Sequence, residues 1–415
     1  MMTTPAILAY GLLGLPLAFA ALPIYVHVPH YYAETSGMQL ALLGAILLGT
    51  RLLDAGIDPW LGWLADRLPR RRMLALALLP FAIGFVALLN PPPQNAVLWL
   101  SGSLMLTYLG FSAASVAYQA WGADIGLNSG LRTRLTAARE GFGLLGVVLA
   151  AALPGVLATD SSAGLARLSW ILPPLLLVAA IITFVGVGAP PAGQRPASVG
   201  HGPSEGAKLW PSLRRVFADV AFCRLLAVFV VNGIASALPA TLFLFFVADI
   251  LQLGKASAPL LALYFVAGAA SLPLWVRLAA RYGRVLAWLG AILLASIAFA
   301  GASVLGKGDL WPFAAICLAS GLALGADLAL PAAIAADLGE RQGQAGACFG
   351  VWNLAAKLNL ALAAGLALPF LGLLGYVPGG SGGLASLTFA YALLPLVFKA
   401  LAGLLLWRWR RFLEI

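Results

Sequence analysis

The chain of 415 residues is poor in what a water-soluble protein uses to coat itself: charged residues make up only 10% of it and hydrophobic residues 62%. With a mean hydropathy of +0.96, that balance excludes a soluble globule and leaves a polytopic membrane protein. Histidine and cysteine are scarce too, three of each. Cys223, Cys317 and Cys348 show no metal-ligand spacing and no disulfide framework, so they read as small buried hydrophobes. No His/Asp acyltransferase pair, nucleophile elbow or catalytic domain is visible, so no catalytic residue is named and an enzyme is not expected. Lys and Arg are absent before Ala18-Phe19-Ala20, and the apolar run continues past that triplet to Val28. The first helix is therefore expected to be retained rather than cleaved as a signal.

What the chain has in abundance is long apolar runs. A bilayer span takes about 20 apolar residues, and such runs fall at 5–29, 37–62, 73–92, 97–122, 140–158 and 168–188, then at 219–248, 257–279, 284–305, 311–336, 346–372 and 386–407. This predicts an all-α membrane protein of twelve transmembrane helices: a six-helix bundle over 1–188, a linker over 189–218, and a second six-helix bundle over 219–415. Within the linker, Ala189 to Ser212, rich in Pro, Gly and Ser around His201, is expected to be a solvated tether. Basic residues gather on alternate connections, at Arg67, Arg70, Arg71 and Arg72, at Arg132 and Arg134, in the linker, at Arg277, Arg281 and Arg284, at Arg341, and at Arg408, Arg410 and Arg411. The opposite connections carry only Arg167, Lys255 and Lys307. That asymmetry places both termini and the linker in the cytoplasm. It also accounts for the net charge of +10 without a nucleic-acid partner. Arginine outnumbers lysine 20 to 5, which hints at a GC-rich genome, so a bacterial inner membrane is the expected location and a monomer the expected state.

The two halves share a short internal repeat. Pro59, Leu64, Ala65, Arg67 and Arg70 recur as Pro273, Leu278, Ala279, Arg281 and Arg284, all at an offset of 214 residues. Both copies lie at the exit of the second helix of their half, as parallel repeats require. The same offset takes Arg51, Asp54 and Asp58 to Phe265, Gly268 and Leu272. Those three charges belong to the first half alone.

They are also the most telling residues of the chain. Spacings of three and four stack Arg51, Asp54 and Asp58 on one face of a helix. A charge near the bilayer centre costs roughly 2.5 to 3.5 kcal/mol, so they are expected to line a protein cavity and pair or bind an ion there. Two carboxylates one turn apart repel when both are ionised, which makes the pair a sensor of bound cation. Thr107, Ser112 and Ser115 on the fourth helix are candidate hydroxyl ligands, although such groups often bond their own helix. Lys357, with Asn353 one turn before it, is too deep to snorkel and is expected in the cavity with Asp327. Lys399, nine residues before Arg408, is expected to reach toward the cytoplasmic face. Asp66, Asp124, Glu140, Asp337 and Glu340 gather with Arg67, Arg132, Arg134, Arg139 and Arg341 at cytoplasmic helix ends, as a gate of ion pairs that breaks when the halves rock. His27 and His30, flanking Pro29 among Tyr25, Tyr31, Tyr32 and Glu34, read as an interfacial belt.

Several strings recur together in a known order: Tyr10-Gly11 and Tyr31-Tyr32, then Arg51-x-x-Asp54-x-x-x-Asp58-Pro59-x-x-Gly62-x-x-x-Asp66-Arg67. After them come Ala120-Trp121-Gly122-Ala123-Asp124, Arg132-Thr133-Arg134-Leu135-x-x-x-Arg139-Glu140, Gly325-Ala326-Asp327, Ala336-Asp337 and Lys357. Over nearly its whole length the chain resembles the glycoside-pentoside-hexuronide:cation symporters of the major facilitator superfamily. The resemblance implies that Asp54 and Asp58 hold the coupling cation and that Arg139 and Lys357 lie at or near the central cavity. Ile57 stands where the family usually has an Asn, which removes a sodium ligand. Ala18 and Ser115 stand near the family's acidic sugar-gripping positions, which removes the usual hold on a sugar.

The expectation is a cation-coupled secondary transporter moving a small solute or amphiphile by alternating access. Coupling is assigned to Asp54, Asp58, Arg51 and Ser112; the cavity to Arg139, Lys357, Ser115, Asn353 and Asp327; the gate to Asp66, Arg67, Asp124, Arg134, Asp337 and Arg341. No cofactor is expected. A proton is favoured as coupling ion, with sodium at Asp54 and Asp58 as the alternative metal site. The partners are a small-molecule or lipid-like substrate and membrane lipids. The alternatives are a melibiose-type sugar:sodium symporter, an energy-independent lysolipid flippase and, less in keeping with the residues, a membrane-embedded lipid enzyme.

Overall fold

The computed structural model describes the chain except residues 1, 22, 25–27, 29–30, 33–39, 93–94, 158–160, 188–208, 377–381 and 415. His27, His30, Glu34 and His201 lie outside the described residues. The rest is helical: α1 Thr4–Leu12, α2 Gly14–Phe19, α3 Leu40–Ala65, α4 Arg70–Leu88, α5 Ala96–Ile125, α6 Ser129–Leu157, α7 Ser161–Gly186, α8 Leu209–Ala218, α9 Val220–Phe245, α10 Ser257–Tyr282, α11 Arg284–Ala302, α12 Leu310–Arg341, α13 Ala345–Leu373, α14 Leu384–Thr388 and α15 Leu394–Leu413. Among the described residues, eight helical stretches are long and apolar enough to cross a membrane. Outward-facing apolar side chains such as Leu76, Leu98 and Val185 are more than 70% exposed, a surface that hydrocarbon solvates and water does not.

The helix ends follow local chemistry. Asn128 Oδ1 accepts from the backbone N–H of Leu131 at 2.8 Å to open α6, and Asp219 accepts from Ala221 and Phe222 at 2.7 and 3.2 Å to open α9. Such caps satisfy donors that the first helical turn leaves unpaired. Gly283, at φ 86°, turns α10 into α11 in a conformation that a side chain would strain. The last ten residues of the expected linker form α8, which buries Ser212 and Val216 while Trp210 and Phe217 stay exposed, so the end of the expected tether, 209–212, is helix and not solvated coil.

The chain divides into two compact units. The first comprises Met1–Val216 with Ala335–Leu354, so the end of α12 and the start of α13 group with it. The second comprises Phe217–Ile334 with Ala355–Ile415. Small residues set the spacing in the first unit, where a Cβ on Gly84 would meet Thr107 N at 2.6 Å and one on Gly110 would meet Phe81 N at 2.4 Å. Close backbone approach of this kind is how helices pack when lipid removes the hydrophobic drive between them. In the second unit π-helical turns at Phe246–Ile250 and Phe389–Leu393 bring Phe246 and Tyr391 into a stack with centroids 4.1 Å apart.

The internal repeat reappears as a matched contact. Arg70 donates to the carbonyl of Ala120 at 2.8 Å in the first unit, and Arg284 donates to that of Ala333 at 3.0 Å in the second. Each guanidinium ties the helix pair at the exit of its half to the fourth helix of that half.

Candidate functional site

The first unit gathers its charges along α3. Asp54 is 4% exposed and Asp58 0%, one helical turn apart on the face that the spacing predicts, with Arg51 partly buried a turn earlier. Ser112, itself buried on α5, donates to Asp54 Oδ1 at 2.6 Å. Of the hydroxyls considered from sequence, Ser112 thus reaches the carboxylates, whereas Thr107 spends its proton on the carbonyl of Ser103 at 2.6 Å, in its own helix. Ser115 and Ile57 are partly buried.

Farther along α3 the helix touches the start of α13 backbone to backbone. A Cβ on Gly62 would lie 2.4 Å from Gly346 O, and one on Gly350 would lie 2.5 Å from Asp58 O. Asp66, just past the end of α3, caps α13 by accepting from the N–H of Gly346 at 2.7 Å and of Ala347 at 2.8 Å. A carboxylate is favoured there because unpaired amides and the helix dipole converge on it. Burial pushes the Asp66 carboxyl up from its ordinary value, against the opposing pull of Arg70 and of the Ala347 and Gly346 amides.

Arg70 bridges Asp66, at 3.0 Å, and Asp124. Arg132 bonds Asp337 at 2.8 Å, the carbonyl of Ala123 at 3.0 Å, and stands 3.9 Å from Glu340. Arg132, Asp337 and Glu340 belong to the expected cluster; Arg70 does not. Of the arginines assigned to the gate, Arg67 lies over the Trp63 ring at 4.0 Å, Arg134 is exposed and bonds Thr4 at 3.4 Å, and Arg341 is exposed. Arg132, a member of the expected cluster, bonds Asp337, whereas Arg70, which was not in it, bonds Asp66 and Asp124. The reason is helical phase: Arg70 begins α4 and Arg132 lies in the first turn of α6, facing the interior, while Arg134 is two residues on and faces out. The sequence signal for Arg70 was its copy at Arg284.

Of the expected cavity residues, Arg139 bonds Glu140 through Nε at 3.1 Å, and α2 packs so tightly on it that a Cβ on Gly14 would lie 2.4 Å from its carbonyl oxygen. Asn353 accepts from Gln119 at 3.2 Å, a partner that no motif singled out. Lys357 is partly buried on the part of α13 that belongs to the second unit. In that unit Asp327 is ion-paired to Lys399 at 2.7 Å. Lys399 therefore does not reach for the cytoplasmic face; at 1% exposure it is held inside by the carboxylate. Among the described residues no group of three or more His, Cys, Asp or Glu is placed to hold a metal ion.

Chains of known structure share this architecture at low identity. A bacterial homologue of the iron transporter ferroportin, in an outward-facing state, matches with TM-score 0.70 and 16% identity over 98% of this chain and 99% of that one. The E. coli fucose:proton symporter matches with TM-score 0.73 and 15% identity over 98% of each, and a human organic anion transporter with TM-score 0.66 and 20% identity over 95% and 98%. These likenesses show the major facilitator fold of twelve helices in two halves. The family described as MFS/sugar transport protein matches residues 7–410. The chain is a multi-pass membrane transporter, not an enzyme, and belongs to the MFS/sugar transport protein family.

Proposed function

We propose that the chain is a cation-coupled symporter of the glycoside-pentoside-hexuronide:cation type, moving a small solute or amphiphile across a bacterial inner membrane by alternating access. The observation that carries this reading is Asp54, buried in α3 one turn from the fully buried Asp58 and held by Ser112 at 2.6 Å. An ionised carboxylate pair in an apolar helix is costly to move past apolar neighbours. With Arg51 the cluster carries one net negative charge, which one bound cation removes, so the loaded helix rearranges where the empty one resists, and this difference is what coupling requires. Arg51 completes the site from the preceding turn.

A proton is the coupling ion we favour, because Ile57 supplies no oxygen and sodium needs several to replace its hydration shell. Arg139, Ser115 and Asn353 of the first unit and Lys357 and Asp327 of the second are the residues we assign to cargo, and the basic members suit an acidic or zwitterionic head. Asp66, Asp124, Asp337 and Glu340, with Arg70 and Arg132 bonded to them, are assigned to the cytoplasmic gate. The family's description favours a second reading in which the cargo is a sugar. Binding assays with melibiose, a glucuronide and a lysophospholipid separate the two: saturable sugar binding that no amphiphile competes for selects the sugar.

Ser112→Ala tests the ion directly. A hydrogen bond to a charged group contributes about 1.5 to 3 kcal/mol, and Ser112 gives one to ionised Asp54. If the ion is a proton, its loss is expected to move the half-maximal pH of uptake upward by about one to two units. If the ion is sodium, an oxygen ligand disappears and the sodium requirement rises instead. The measurement is uptake against pH and against sodium in proteoliposomes.

A further inference from the structure

The second unit contains a buried charge pair that the coupling reading leaves unused. Lys399 Nζ, on α15, donates to Asp327 Oδ2 at 2.7 Å, Asn232 Oδ1 at 2.9 Å and Ser236 Oγ at 3.1 Å. An ammonium has three donors, and all three are used. Asp327, on α12, is bonded on its other oxygen by Trp288 Nε1 at 2.8 Å. Among the described residues, the titratable groups facing it are Lys399 and, from α10, Tyr264 within electrostatic reach; Asn232 and Ser236 face it from α9 and Trp288 from α11.

The two charges are covered unequally. The Asp327 side chain keeps 11% exposure and that of Lys399 1%, so the carboxylate is the outer member and the ammonium the inner one. An apolar unit tolerates the pair because its net charge is zero. Protonation of Asp327 breaks that balance, leaving an ammonium buried without a counter-charge. An oxyanion taking the carboxylate's place restores it: before, one negative and one positive charge; after, a neutral acid, the ammonium and the new anion. Proton and anion enter together, the proton as the O–H of Asp327.

We propose that Asp327 and Lys399 form a latent oxyanion site, in which protonation of Asp327 releases Lys399 to bind a carboxylate or phosphate of the cargo. Asn359, on α13, packs against the same helix, α9, at the residue after Asn232. Its Oδ1 is buried with no hydrogen-bond partner, and its Nδ2 packs so close to Gly233, next to Asn232, that a Cβ there would lie 2.0 Å away. The proposal rests on the chain being a transporter and is independent of where the driving cation binds in the first unit.

The test is equilibrium binding of glucuronate and of lysophosphatidylglycerol to the purified full chain in maltoside detergent, at pH 5.5 and pH 8, where both probes stay ionised. At least one probe is expected to bind wild type about tenfold more tightly at pH 5.5; glucuronate marks a soluble acid, the lysolipid a headgroup. Asp327→Asn mimics the protonated acid and is expected to bind that probe with the tighter affinity at both pH values. Asp327→Asn combined with Lys399→Gln keeps the site neutral, so it folds, and is expected to lose about tenfold or more in affinity. Three results overturn the proposal: neither probe binding wild type or Asp327→Asn, Asp327→Asn keeping the wild-type pH dependence, or the double variant binding like Asp327→Asn. Since binding is read without a gradient, a failure of coupling at Asp54 and Asp58 leaves the result unaffected.

Discussion

Asp58→Asn is expected to abolish accumulation of cargo against its gradient, bringing the steady-state ratio of internal to external cargo down to one, while downhill exchange persists and the protein stays folded. Asp58 is fully buried and Asp54 nearly so, so the amide is isosteric and removes the charge without opening a cavity. The variant then behaves as if permanently loaded: its helix rearranges with or without a cation, and the cation gradient no longer does work on the cargo. Asp54→Asn is expected to act in the same direction, with its bond to Ser112 retained through the amide oxygen. An energy-independent flippase of the same fold would show full equilibrative transport in wild type and in both variants. Counterflow and concentrative uptake, measured side by side in proteoliposomes, separate these outcomes.

Gly346→Val is expected to lower uptake by about tenfold or more, the second largest effect. A Cβ at Gly346 would lie 2.4 Å from the Gly62 carbonyl and 2.7 Å from Asp66 Oδ1, and backbone at that distance has no rotamer by which to yield. Overpacking of this kind costs about 1 to 3 kcal/mol, and each 1.4 kcal/mol is a factor of ten in an equilibrium. The contact between α3 and α13 must open, which also pulls the Gly346 and Ala347 amides off Asp66. Gly56→Ala, in the same helix as Gly62 with nothing within 4 Å of the added Cβ, serves as the control and is expected to transport at the wild-type rate. Initial uptake rates with membrane expression held equal check the pair; equal rates for the two variants would remove the glycine contact from the transport cycle.

How much of this was legible in the sequence depends on the range of each signal. The spans were legible because a bilayer imposes about 20 apolar residues on every helix, and the α3 face because spacings of three and four encode it within one element. Ser112 was a weaker reading, one hydroxyl among three, and only the rotation of α5 against α3 singles it out. Lys399 could not be paired from sequence: its partner Asp327 is 72 residues away and no shared motif links them. Depth in the span suggested a side chain reaching for water, but a carboxylate on a neighbouring helix satisfies an ammonium at less cost. The gate arginines were ambiguous for a similar reason. Several arginines crowd these connections, and composition cannot say which face each occupies once the helix begins. Arg70 and Arg132 lie inside the first turn of their helices, while Arg67 lies in the connection before α4 and turns onto Trp63. The α8 helix was hidden by the Pro, Gly and Ser content of the segment preceding it.

The most direct test of coupling at Asp54 and Asp58 is cargo-driven proton movement in sodium-free proteoliposomes carrying an internal pH dye, for wild type and Asp58→Asn. For cargo without a carboxylate or phosphate, a downhill gradient is predicted to carry protons inward with wild type and to leave internal pH unchanged with Asp58→Asn, although cargo still enters. Cargo entry without proton movement in wild type, or equal proton movement in Asp58→Asn, would contradict it.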